Sequence, residues 1–182
     1  MATLEARCLD AFPNWLRSLA DDARALASVL ETDAPDAAQR RSAAALNYLF
    51  KSLDLIPDGL EDLGFIDDAF VVRAAAESLK LESEGSLAAD STGTLARLAN
   101  EAELVREFLG SEYGRLARYV DGLEKGSARG RTVSALLSDA SVRADFVREV
   151  KEWADGYQVP GFTRDERNLV KLRAFLLAKL PA

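Results

Sequence analysis

Between Tyr48 and Leu79 two apolar segments flank a short connection crowded with Asp, Pro and Gly, which leaves the chain few ways to fold. Pro57 lacks an N–H and pushes Ile56 out of the helical region, so a helix ends before it. Ile56-Pro57-Asp58-Gly59 fits a type I turn, with Pro second and Gly fourth. Leu60 to Leu63 then make one helical turn, closed by Gly64 in a left-handed conformation. Asp67 falls where an N-cap belongs, with Asp68 in the first turn. Ile66 and Val71 then have the spacing of a hydrophobic staple. The helix that follows, Ala69-Phe-Val-Val through Leu79, is apolar nearly all round, which predicts burial.

Asp54-Leu55-Ile56-Pro57-Asp58 followed by Leu63-Gly64-Phe65-Ile66-Asp67-Asp68 resembles the YkvA-like family, a domain-of-unknown-function family numbered 1232. The resemblance covers about residues 45–80. Ser52 and Glu61 stand where that family usually has Pro, which makes the connection here less rigid and more acidic. The resemblance implies a helical core. It brings no general catalytic activity, and it adds membrane association as a reading, since many family members are predicted to associate with membranes.

Stripes at steps of three and four fill the rest of the chain. Leu16, Leu19, Ala23, Leu26 and Leu30 predict a helix begun near Pro13, and Asp36 opens a second that runs to about Ser52. Residues 82–93 read as a loop. Beyond it, stripes from Leu95 to Leu109 and from Tyr113 to Leu123 precede a flexible link at Glu124–Arg131. Val133 and Leu136 mark a short helix, and Val142 to Tyr157 a longer one. Thr163-Arg-Asp-Glu166 fits a capping box for the last helix. No segment alternates over strand length. These patterns predict an all-α bundle of about eight helices, in which a buried helical hairpin is joined by the Asp54–Asp58 connection. One domain spans 1–182, with a YkvA-like core at about 36–80 and a helical C-terminal half at about 94–182.

The chemistry is bounded by what is missing. The 182 residues include no histidine and a single cysteine, Cys8. This excludes Ser-His-Asp catalysis, His-ligated zinc or haem, and a Cys-based zinc or iron–sulfur site within one chain. Cys8, near Leu4 and Phe12, reads as a small buried hydrophobe. A net charge of −7 argues against general nucleic-acid binding. One cysteine, no signal-peptide pattern and no run of ~20 apolar residues predict a soluble cytoplasmic protein, and the Ala-, Leu- and Arg-rich usage a bacterial one.

Carboxylate chemistry remains. Asp54, Asp58, Asp67 and Asp68 crowd the connection and are candidate ligands for Mg²⁺, Mn²⁺ or Ca²⁺, a metal-dependent hydrolase being the enzymatic reading. The structural reading gives each a job instead: Asp54 closes an Asx-turn or caps the Leu55-Ile56-Pro57 turn, Asp58 is a turn residue, and Asp67 and Asp68 cap a helix. Pro57, Gly59, Gly64 and Arg73 complete that motif, Arg73 pairing with one of these carboxylates because a lone buried Arg is costly. The leading expectation is a non-enzymatic module acting by contact with a protein partner or with itself. A third reading is an anionic membrane surface met by the basic last helix, with Arg164, Arg167, Lys171, Arg173 and Lys179.

Overall fold

The computed structural model describes residues 1–51, 54–82 and 93–182. Eight α-helices lie within them: α1 (Leu4–Val29), α2 (Asp36–Tyr48), α3 (Ile66–Glu82), α4 (Thr94–Leu109), α5 (Tyr113–Gly122), α6 (Val133–Ser138), α7 (Ala140–Gly156) and α8 (Glu166–Lys179). The predicted all-α bundle stands. The predicted loop at 82–93 falls, apart from its ends, outside the described residues, as does Ser52.

Helix α3 is central, packing on α4, α2, α5 and α1. Its sequence dictates this place: Ile66, Ala69, Phe70, Val71 and Val72 lie on every side of the helix and all are fully buried. Phe70 meets Phe12, Trp15 and Phe108 edge-on, with ring centroids 5.1, 6.0 and 5.9 Å apart. Such tilted contacts between aromatic rings add to the area they bury. Buried side chains form one set that runs from Cys8 to Leu180.

Helix α1 begins nine residues before Pro13 rather than at it, with Thr3 accepting from the Ala6 N–H at 3.2 Å. Pro13 therefore lies inside the helix, where it removes a backbone bond at a cost of about 3 kcal/mol. The apolar stripe explains why the helix continues. Cys8, Phe12, Leu16 and Leu19 share one face and are essentially inaccessible, and burying each large apolar side chain contributes about 1.5–3 kcal/mol.

Three further boundaries differ from the sequence reading. Helix α2 stops at Tyr48, and the N–H groups of Leu49, Phe50 and Lys51 tighten onto carbonyls three residues back. The Glu124–Arg131 link contains a small hairpin. Ser127 pairs with Thr132 and Ala128 with Arg131, and the turn residues Arg129 and Gly130 have φ of 49° and 77°. Two consecutive positive φ values are what a two-residue hairpin turn needs. Finally, α8 is capped by Asp165, which accepts from the Arg167 N–H at 2.8 Å, and not by Thr163.

Candidate functional site

The connection from Asp54 to Phe65 joins α2 to α3, so the predicted helical hairpin is present. Its turn is one residue later than expected, with the Leu60 N–H donating to the Pro57 carbonyl at 2.9 Å. The single helical turn at Leu60–Leu63 is closed by the Gly64 N–H on the Leu60 carbonyl at 2.8 Å. Gly64 is not the left-handed residue. Asp62 and Phe65 take positive φ, 64° and 65°. Glycine is required at 64 by space: a Cβ there would stand 2.0 Å from the Asp58 carbonyl oxygen. Pro57, Asp58 and Gly59 form the exposed tip.

Asp67 is not the N-cap. Helix α3 starts at Ile66, and the Phe65 carbonyl accepts the first helical bond, from the Ala69 N–H at 3.2 Å. The Asp67 carboxylate is fully buried and turns back across the connection. Its Oδ2 accepts from the Tyr48 hydroxyl at 2.5 Å and from the Ile56 N–H at 3.1 Å. The Tyr48 hydroxyl in turn accepts from the Leu55 N–H at 2.8 Å. One carboxylate and one phenol thus satisfy two buried backbone donors just ahead of Pro57, where no helix or sheet is available to do so. Burial and the neighbouring Asp67 push the Tyr48 phenol far up, so it stays protonated and donates.

The four candidate aspartates fare differently. Asp68 is buried beside Asp67, and its Oδ2 has no hydrogen-bond partner. Asp54 is half-buried; its Oδ1 also lacks a partner and closes no Asx-turn. Asp58 is exposed at the tip. Burial raises all four carboxyls from 3.8: Asp54 to about 7, also through Asp58 and Asp67; Asp67 to about 6, opposed by its bonds from Tyr48 and Ile56; Asp58 by burial alone; and Asp68 well above, with Asp67 adding to it. Among the described residues none of the four has an ion-pair partner. No group of three or more Asp, Glu or Cys side chains there stands together as a metal-binding set. The two most buried of these carboxylates, Asp67 and Asp68, lie within the interior of the chain.

Arg73 does pair, but not with the connection. Its guanidinium, also buried, reaches Glu101 on α4 at 2.7 Å and Asp22 on α1 at 3.6 Å, and it lies over the Trp15 ring at 4.1 Å. Arg97 joins the same two acids, and the Ser18 hydroxyl donates to Asp22 at 2.9 Å. Burial lowers Arg73 to about 10, opposed by Glu101 and Asp22. Asp22 was missed in the sequence, although its position gives a signal: with Trp15, Leu19 and Leu26 it falls on the apolar stripe of α1.

A third contact anchors the C-terminal helix. Asp62 Oδ1 accepts from the Thr163 N–H at 3.1 Å and from its hydroxyl at 2.9 Å. The Asn168 side-chain amide donates to the Asp62 carbonyl at 3.1 Å. Phe65 packs edge-on against Tyr157, centroids 5.5 Å apart. The connection is therefore the platform on which the segment before α8 sits.

These residues decide the comparison with known proteins. Residues 42–73 match the model of the family described as "Protein of unknown function (DUF1232)". The match takes in the end of α2, the connection and the first half of α3, which is 32 of 182 positions. No curated protein and no solved structure matches the chain. Tyr48, Leu55, Ile56 and Asp67 all lie within the matched residues, so the bonds that tie the connection to both helices are made by the matched residues themselves. Among the described residues, no helix is long and apolar enough to cross a membrane.

Proposed function

We propose that this chain is a non-enzymatic helical module that acts by contact with a protein, its DUF1232 segment serving as folding core. One observation carries the reading. The most distinctive ionisable side chains of that segment point inward to partners in the same chain: Asp67 to Tyr48 and Ile56, Arg73 to Glu101 and Asp22. A catalytic carboxylate or guanidinium must reach a substrate in an open site. These hold helices instead. What is left for function is the outer surface of the helices.

Cross-linking the full chain in the cells that make it, followed by mass spectrometry of the adducts, tests this. The expected result is a discrete adduct with one protein, abolished by reversing exposed charges and retained when Arg73 is changed conservatively. No adduct, together with a melting temperature raised by only one of Mg²⁺, Mn²⁺ and Ca²⁺, would replace this reading with ion binding at the aspartates.

A further inference from the structure

We infer that the Asp68 carboxyl is a proton-operated latch: protonated, it lets the connection lie closed over the first turns of α3, and ionised, it drives the connection outward and frees the segment before α8 that rests on it. The latch is built from buried oxygens without partners. Asp67 and Asp68 are adjacent in the chain, and they are 0% and 1% exposed. Asp67 Oδ1, Asp68 Oδ2 and Asp54 Oδ1 are buried and have no hydrogen-bond partner. Asp67 keeps two donors on its other oxygen, the Tyr48 hydroxyl and the Ile56 N–H, so it holds a charge more readily than Asp68 does. A second charge beside it, in the interior and without a partner, is what the closed arrangement cannot hold.

Among the described residues no cation is placed to offset that charge. From the connection Asp54 and Asp58 face Asp68, and from α3 itself Asp67 does. Tyr157, just past α7, faces it too, but its hydroxyl is given to the Leu16 carbonyl at 2.8 Å. Lys51, just past α2, bears on Asp54 and donates to the Tyr119 hydroxyl at 3.0 Å. Of the other helices packed on α3, α1 and α4 turn Asp22 and Glu101 to Arg73 and Arg97, and α5 turns Asp121 to Arg41. Arg73, on the same helix as Asp68, also donates to the Ala69 carbonyl at 3.0 Å. Burial, and then the charges of Asp67, Asp58 and Asp54, hold the Asp68 carboxyl well above the usual carboxylate range. The start of α3 is not free to move and hydrate it, since α3 packs on four helices. The connection is. Asp62 and Phe65 hold it at positive φ, 64° and 65°, a region that Asp and Phe disfavour. Moving it takes Asp62 off Thr163 and Asn168, and Phe65 off Tyr157.

The folded carboxyl is raised, so the closed form is fully present below pH 3.8 and is lost as pH climbs through the raised value of Asp68. Hydrogen exchange of the full chain, read by mass spectrometry and corrected for the intrinsic dependence of exchange on pH, follows this from about pH 6 to about pH 9. Peptides covering 54–65 and 157–168 are expected to lose protection together, by about tenfold or more, while those covering 98–109 in α4 keep theirs. Asp68→Asn, which has nearly the same shape and no charge, is expected to keep both segments protected at the upper pH. A carbonyl-carbon NMR titration of Asp68 in the wild-type chain needs no variant, and its midpoint is expected to coincide with the loss of protection. If Asp68→Asn does not fold, that midpoint decides. Protection that stays unchanged overturns the latch, as does a loss that spreads equally into α4. So does an Asp68→Asn chain that opens like wild type, or a midpoint that differs from that of the opening. None of these outcomes touches the protein-contact reading, which the cross-linking decides by itself.

Discussion

Removing a single oxygen, in Tyr48→Phe, tests the central physical claim about the connection. The Tyr48 hydroxyl donates to Asp67 Oδ2 at 2.5 Å and accepts from the Leu55 N–H at 2.8 Å. Phe keeps the ring and its packing but leaves a buried N–H without a partner and takes a donor from a buried carboxylate. Leaving one buried polar group unpaired costs about 1–3 kcal/mol, and a bond to a charged group contributes about 1.5–3 kcal/mol. The two losses share one atom and do not add fully, so about 3 kcal/mol is expected above pH 7, where Asp67 is ionised. The pH dependence gives a second handle. Asp67 rises from 3.8 unfolded to about 6 folded, so the folded state holds the extra proton in that window. Its contribution is fully present below pH 3.8 and is lost as pH climbs through about 6. The Tyr48 bond lowers Asp67, so Phe raises it further and extends the decline to higher pH. Urea denaturation followed by far-ultraviolet circular dichroism at pH 5 and pH 8 measures both. A cost that is the same at both pH values, or below about 0.5 kcal/mol at pH 8, would refute the bond as a source of stability.

Two further substitutions separate shape from charge. Gly64→Ala is expected to cost at least about 3 kcal/mol in the same assay, because its Cβ meets the Asp58 carbonyl at 2.0 Å, whereas Gly59→Ala, with nothing within 4 Å, stays within about 1 kcal/mol of wild type. Asp68→Asn removes a buried carboxyl whose Oδ2 has no partner, so stability at pH 8 is expected to rise by about 1 kcal/mol or more and its pH dependence between 5 and 8 to flatten; a loss at pH 8 would show that the ionised form is needed.

The periodicities of Leu95–Leu109 and of the helix after Asp67 were legible because burial of one face, or of all faces, writes directly into spacing. The motif residues were legible as structural, but their partners were not. Asp67 looks like a cap because Asp before an apolar run usually is one. That it bonds Tyr48 depends on how sharply the connection folds back, and this is set by Gly64 and the two positive-φ residues Asp62 and Phe65. Neither Asp nor Phe announces that conformation as Gly does. Arg73 was legible as a residue that needs an acid, yet its acids come from α1 and α4, 51 residues before it and 28 after, a distance over which local pattern carries no information. Pro13 misled for a related reason, since a helix start is the usual place for proline and only the tertiary burial of Cys8 and Phe12 offsets its cost in the interior.

The Asp62 clasp has a kinetic consequence. Thr163 and Asn168 meet it across 101 and 106 positions of chain, and contacts of such long separation form late because closing the intervening loop is entropically unfavourable until the rest is in place. The surface that receives them exists only once the connection has folded between α2 and α3. Docking of α8 is thus conditional on the hairpin, and during refolding its amides should gain protection from hydrogen exchange after those of α3 rather than together with them.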